Sequence, residues 1–277
     1  MTTRVAVITT ASSARLAHLH RQRRFLREAQ SETSTVEIDL LRIEVWLDDA
    51  APQEVGNATV LHLPPGAHGM RVGAARNAAA RHAIEAGADL LLFLDVDCLP
   101  GPDLLPLSTD AARRCPDALL AGPVTYLASV QRPNALADLP ALTRPHPARP
   151  DPAPGALAHA APTDYALFWS LSFAVTPRVW ERIGGFDEAY EGYGAEDTDF
   201  AFRARERGVA LTWVGGAHAY HQWHPSGTPP WRHLDDILRN GRIFAERWGT
   251  WPMEGWLEAF AAAGAIERDG DGWRRAS

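Results

Sequence analysis

Residues 89–97 read DLLLFLDVD, five consecutive apolar side chains closed by two aspartates with a single valine between them. An apolar run without polar alternation is the pattern of a strand covered on both faces, as in a sheet lying between two helical layers. The stretch before it, VGAARNAAARHAIEA at 72–86, is rich in helix formers and is followed by Gly87, a residue suited to ending a helix. Working back to the start, residues 4–10 (RVAVITT) form a β-branched run, residues 14–29 have helical spacing, residues 35–47 (TVEIDLLRIEVWL) form a second strand and residues 60–63 a brief third. Strand, helix, strand, strand, helix, strand within about a hundred residues predicts an open, mostly parallel α/β sheet flanked by helices. In such sheets ligands collect beyond the carboxyl ends of the strands. Asp48, Asp49, Asp95 and Asp97 all fall there.

Beyond this half, residues 131–162 carry eight prolines among Ala, His, Arg and Asp without periodicity. That composition predicts a long, mobile surface loop rather than a core element. DYALFWSLSFAVT at 164–176 reads as a strand, PRVWERIGG at 177–185 as a short helix, TDFAFRARERG at 198–208 as a second helix and residues 210–214 as a further strand. Residues 231–265 are helical in pattern and rich in tryptophan, and the tail ERDGDGWRRAS is expected to be frayed. The expected organisation is one α/β domain over 1–225 and a helical extension over 226–277 packed on it.

Of the 277 residues, 46% are hydrophobic and 22% charged, which suits a folded globular chain and excludes a disordered or fibrous one. Two cysteines exclude a disulfide framework or a four-cysteine zinc site. The net charge of −7 offers no general attraction for nucleic acid, although every one of the 27 basic residues is arginine. The opening MTTRVAVITTASSARL has no signal-like apolar core, and no stretch approaches about 20 uninterrupted apolar residues. The expectation is a cytoplasmic protein without an integral membrane segment; oligomeric state is left open.

Three constellations carry chemistry. Asp95 and Asp97 can both turn toward one cation where the chain leaves the sheet, and carboxylate oxygens suit Mg²⁺ or Mn²⁺. GGFDEAYEGYGAEDTDF at 184–200 alternates glycines with acids between two predicted helices. Gly192 and Gly194 permit tight turns or close ligand approach, and Glu196, Asp197 and Asp199 fall in the first turn of the following helix, where its dipole favours carboxylates. AHAYHQWHP places His218, His221 and His224 three residues apart, imidazoles that can complete a coordination shell begun by Asp97. Cys98 adjoins the aspartates, but a soft thiolate is ill suited to Mg²⁺ or Mn²⁺, and a buried inert thiol is expected.

These residues together resemble a GT-A-fold glycosyltransferase of the family 2 type. RVAVITT is similar to that family's first strand, VWLDD to its second with the nucleotide-contacting acid, and GAARNAAARHAIEAGADLLLFLDVDCLP to the helix leading into the DXD motif, while residues 184–224 resemble the C-terminal motif of the β-1,4-galactosyltransferase group. The resemblance implies a Rossmann-like, mixed and mostly parallel sheet, and a metal-dependent, inverting transfer of a hexosyl or N-acetylhexosaminyl group from a UDP-sugar, UDP-galactose or UDP-N-acetylgalactosamine first, to an unidentified acceptor hydroxyl. It implies Asp97 as the primary ligand of Mn²⁺ or Mg²⁺ with Asp95 beside it, His221 as the later metal ligand and His224 as a second candidate. Asp197 takes the place of the catalytic base and Glu196 of a neighbouring substrate contact. Thr9, Thr10, Asp48, Asp49, Arg76, Asn77, Val96 and Gly194, with the two DXD aspartates, fall where the sugar nucleotide is held. ASSARLAHLH after Thr10 departs from the family's Tyr/Asn signature, and the proline-rich segment has no counterpart.

Two alternatives stand beside this reading. A nucleotidyltransferase on the same sheet would need a glycine-rich phosphate loop with lysine, and this chain has no lysine. A non-catalytic nucleotide- or carbohydrate-binding relative would be marked by loss of the acids, all of which are present. Tyr193 and Trp223 are candidates to touch a sugar, while Trp231, Trp248, Trp251 and Trp256 are expected to pack helices.

Overall fold

The computed structural model describes residues 2–32, 37–52 and 57–276. Its elements run β1 (Thr3–Ala11), α1 (Leu16–Glu32), β2 (Ile38–Trp46), β3 (Thr59–His62), α2 (Val72–Glu85), β4 (Leu90–Leu94), β5 (Cys98–Pro100), α3 (Leu104–Arg114), β6 (Ala118–Ala121), β7 (Val124–Tyr126), α4 (Leu139–Leu142), β8 (Leu157–His159), β9 (Ser172–Val175), α5 (Pro177–Ile183), α6 (Glu196–Glu206), β10 (Ala210–Val214), β11 (Ala219–His221), α7 (Leu234–Trp248), α8 (Glu254–Ala262), β12 (Ile266–Asp269) and β13 (Gly272–Arg275). The start of the second expected strand, at 35 and 36, lies outside the described residues.

The LLLFL run is β4, and the alternation hidden in its uniform hydrophobicity now shows. Leu91 and Phe93 enter one apolar core, and Leu90, Leu92 and Leu94 enter the other. Side chains of a strand alternate between faces, so burying every residue requires a layer on each side. The first core is closed by Ala75, Ala79, Ala80 and Ala83 of α2, by α5 and by α6. The second is closed by Phe25, Leu26 and Ala29 of α1 and by α3. A buried pair, Arg23 with Glu44 at 2.8 and 2.5 Å, further ties α1 to β2.

The sheet order is β3-β2-β1-β4-β9-β6-β10-β8. β3, β2, β1 and β4 are mutually parallel, β6 and β10 are parallel, and β9 lies antiparallel between β4 and β6. A second sheet, β5-β11-β7, forms beyond the end of β4.

Three segments differ from the sequence reading. The proline-rich segment is no plain surface loop: Leu157–His159 adds an antiparallel edge strand to β10, and Leu136 and Leu139 are buried in the second core. An edge strand tolerates the neighbouring prolines because its outer side needs no donors. Of DYALFWSLSFAVT only Ser172–Val175 is strand, since Pro162–Leu167 coil into a 3₁₀ turn in which the buried Tyr165 hydroxyl donates to Val209 O at 2.7 Å and accepts from Leu211 N at 3.0 Å. The tail is a hairpin, β12 with β13, turned by DGDG, and Ile266 and Trp273 seal it against α7 and α8. These two helices separate at Gly249, which takes φ +69° where a left-handed residue ends α7, ahead of Pro252.

Candidate active site

Strand β11 pairs antiparallel with β5, and the register places His221 opposite Cys98 and Tyr220 opposite Leu99. Gln222 N–H donates to Asp97 O at 2.6 Å, extending the ladder by one residue. This pairing brings a histidine more than 120 residues away beside the second aspartate of DVD. The Nε2 atoms of His221 and His224 lie 3.6 and 3.3 Å from the same Asp97 Oδ2. One ligand atom from each of the three residues fits within 4.8 Å of the others. Burial alone would raise the Asp97 pKa, but the His224 hydrogen bond and the charges of both histidines outweigh it and hold the carboxyl below its usual range. One carboxylate oxygen and two imidazole nitrogens, converging and half-buried, form a donor set that fits Mn²⁺. Cys98 does not join them, because burial among the carboxylates pushes its thiol well above the ordinary value.

The cluster leaves out one expected ligand, Asp95, and one of the three candidate histidines, His218. Asp95 Oδ1 accepts from Arg76 Nη2 at 2.7 Å, so this carboxylate is held toward α2 and is not part of the three-residue cluster. Its backbone is pinned as well, N–H to Leu171 O at 2.9 Å and O from Gln22 Nε2 at 2.6 Å. His218 is buried and bonded to Thr125 Oγ1 at 2.7 Å, with burial and the nearby charge of Arg149 lowering its pKa to about 4.

Among the residues expected to hold the nucleotide, several are committed elsewhere. Thr9 is buried, its hydroxyl donating to Leu94 O and meeting Gln22 Oε1 at 3.0 Å each. Asn77 spends its amide on Phe186 N and O and on Glu188 Oε1, at 2.8 to 2.9 Å. Asp48 accepts from Ser13 N–H at 2.6 Å and from Ser13 Oγ at 3.2 Å, fixing the loop that follows β1. The Val96 side chain packs into a small apolar cluster with Ala11, Leu19 and Trp46, leaving only its backbone for a ligand. Thr10 is partly open and Asp49 exposed at the carboxyl ends of β1 and β2, as the sheet rule requires.

The glycine-rich acidic segment forms the entry to α6. Gly192 and Gly194 take φ of +72° and +99°, and a side chain at 194 would press on the Met253 sulfur at 3.0 Å. Glu196 and Asp197 follow in the first turn. Burial raises both carboxyls, with mutual repulsion adding for Glu196, which is pushed up to about 7. Asp197 Oδ1 accepts from Thr198 N–H at 2.8 Å. Both acids feel the charges of Arg76 and Asp95, so the acidic segment lies within electrostatic reach of the aspartate pair. Tyr193 stacks on His233, centroids 4.5 Å apart, at the rim. Asp199, by contrast, is fully buried and accepts from Arg247, Trp248 and Tyr190, anchoring α7.

The sequence reading missed a chain of rings reaching the cluster from the proline-rich segment. Tyr126 lies 4.7 Å from His221, His146 4.9 Å from Trp169, and Arg149 between Trp169 and Trp213. Isolated His and Arg residues among prolines carry no periodic signal that could have shown it.

A family model described as glycosyltransferase-like family 2 matches residues 63–222, a span that contains α2, the aspartate pair, the acidic segment and His221. Validoxylamine A glucosyltransferase of Streptomyces hygroscopicus subsp. jinggangensis is 30% identical over 163 residues, 52% of this chain and 37% of that enzyme. The chain thus spans little more than a third of this curated relative's length. Among solved structures, residues 1–349 of S. aureus TarS align over 87% of this chain and 64% of that one, with a TM-score of 0.58 at 15% identity. GalNAc-T7, solved with UDP, GalNAc and Mn²⁺, aligns over 94% and 50%, with a TM-score of 0.59 at 12% identity.

Proposed function

Because the chain belongs to the glycosyltransferase-like family 2 and has the GT-A fold, we propose that it transfers a hexosyl or N-acetylhexosaminyl group from a UDP-sugar to an acceptor hydroxyl. The observation that carries the reading is the convergence of Asp97, His221 and His224 at the end of β4, supported by Glu196 and Asp197 lying within electrostatic reach of Arg76 and Asp95 beside it. The uridine and manganese parts draw support from TarS, solved with UDP-GlcNAc, and GalNAc-T7, solved with UDP and Mn²⁺.

Asp97, His221 and His224 would hold the divalent ion, Mn²⁺ or Mg²⁺, which as a Lewis acid would stabilise charge on the departing diphosphate. Arg76, fixed by Asp95, adds positive charge at the same lip. Asp197, desolvated and oriented by the Thr198 N–H, accepts the proton of the attacking hydroxyl, a role that typically supplies about 10²- to 10⁴-fold. Because a carboxylate accepts that proton directly, the transfer is proposed to invert the anomeric centre. UDP-galactose and UDP-N-acetylgalactosamine lead the donors on the resemblance of residues 184–224, followed by UDP-glucose and its N-acetyl form.

The test is UDP release from these four donors with a panel of hydroxyl acceptors, with Mn²⁺ or a chelator. Metal-dependent release that falls by about 10²-fold or more in Asp197→Asn supports the reading. Release unchanged by that substitution removes Asp197 from the chemistry, and a folded protein that binds UDP but never releases it from a donor favours the non-catalytic alternative.

A further inference from the structure

The proline-rich segment holds one group that the transfer chemistry leaves unused. Arg149, within PHPARPDPAP at 145–154, is 5% exposed, and none of its three side-chain nitrogens has a hydrogen-bond acceptor among the described residues. Its guanidinium carbon lies 4.9 Å from the Trp213 ring centre and 5.4 Å from that of Trp169. Indole faces stabilise a cation but accept none of its five N–H bonds. Buried cations are nearly always paired, so an orphaned guanidinium calls for an acceptor.

The surroundings say where that acceptor would come from. Burial lowers the Arg149 pKa to about 10, which leaves the guanidinium charged at neutral pH; Asp197 is the carboxylate whose charge attracts it, while the Tyr126 phenol and the Cys98 thiol, both pushed up by burial, stand beside it as neutral neighbours. Tyr126 packs on His221, Asp197 heads α6, and Cys98 follows Asp97, so the unused donors sit within electrostatic reach of the reacting centre. Prolines at 147, 150, 152 and 154 carry no backbone N–H, so the segment around Arg149 offers few donors of its own to an anion.

We propose that Arg149 is a substrate-recognition residue that takes a carboxylate or phosphate group carried by the donor sugar or the acceptor, making this an enzyme for an anionic substrate. The planar fork matches either group bidentately. The proposal rests on the transferase reading only in naming the bound molecule as substrate.

Calorimetry on the full chain tests it in two arms, each probe set against its neutral counterpart. The acceptor arm titrates glucuronate, glucose 6-phosphate and glucose, with and without UDP and Mn²⁺. The donor arm titrates UDP-glucuronate and UDP-glucose with Mn²⁺. The expected result is that in one arm an anionic probe binds about tenfold or more tighter than the neutral one. That preference should vanish in Arg149→Met, which keeps an unbranched apolar chain between the indoles, and weaken in Arg149→Lys, which keeps charge without the fork. Equal binding of charged and neutral probes by the wild-type protein in both arms overturns the proposal whether or not either variant folds. So does a preference that survives intact in a folded Arg149→Met. Failure of UDP with Mn²⁺ to bind would instead count against the transferase reading, leaving the UDP-free acceptor arm to decide the role of Arg149.

Discussion

Glu196 and Asp197 stand next to each other at the head of α6, and burial raises the pKa of both. For Glu196 the folded-state value of about 7 lies above the ordinary carboxyl value of 4.5. A raised carboxyl supports the fold fully below the unfolded pKa and loses that support as pH rises through the folded one. Glu196→Gln should therefore raise the midpoint of thermal unfolding relative to wild type at pH 8 and leave it little changed at pH 4.5. An equal effect at both pH values would mean that Glu196 is not desolvated. At this scale the sequence showed residue types better than their commitments. Asp97, His221 and His224 were legible as candidates because their spacing and their place after strands are local features, whereas the same spacing offered His218, which the fold commits to Thr125. The commitments of Asp95, Thr9 and Asn77 were not legible, because what occupies these residues, Arg76, Leu94 with Gln22, and the turn at Phe186, arrives from other elements.

Between elements, Asp199 does what its neighbours in the acidic run do not. It is buried without exposure, and Arg247 bridges it at 2.7 Å to Asp187 at 2.5 Å, locking α7 onto α6 and the turn before it. Removing one partner of a buried pair strands the other charge, which costs about 3–5 kcal/mol when both are buried. Because the Arg247 side chain is 38% exposed, screening reduces the expected loss for Arg247→Ala to about 2–3 kcal/mol in urea unfolding. A loss within 0.5 kcal/mol would show that α7 does not depend on this bridge. The strands of the first half were readable from hydrophobic runs and flanking glycines, since both signals are local. The β5–β11 pairing that assembles the cluster and the β12–β13 hairpin were not. Strands this short with polar, aromatic or proline residues interrupting an apolar run carry too little pattern, and the polar DGDG stretch reads as a frayed end although Asp-Gly favours a hairpin.

Across the whole molecule, the long sheet delivers β1, β2 and β4 so that their carboxyl ends open on one edge, and the second sheet delivers the histidines to that same edge. Among the described residues, no helix is long and apolar enough to cross a membrane. The order of elements was legible because an α/β alternation repeats its own signal, whereas the antiparallel β9 and the β8 edge strand depend on pairings that no single segment announces. The central proposal is that this edge binds a uridine nucleotide through a cation on Asp97, His221 and His224. A ligand present at 100 times its dissociation constant stabilises the native state by about 2.7 kcal/mol, and for a chain of this size that shifts thermal unfolding by several degrees. The deciding measurement is thermal unfolding with UDP and Mn²⁺, with each alone, and with a chelator, for wild type and Asp97→Ala. A shift of several degrees that requires both ligands and disappears in Asp97→Ala is the expected result. A UDP shift of equal size with the chelator present, or one retained in Asp97→Ala, would contradict a nucleotide held through that cluster.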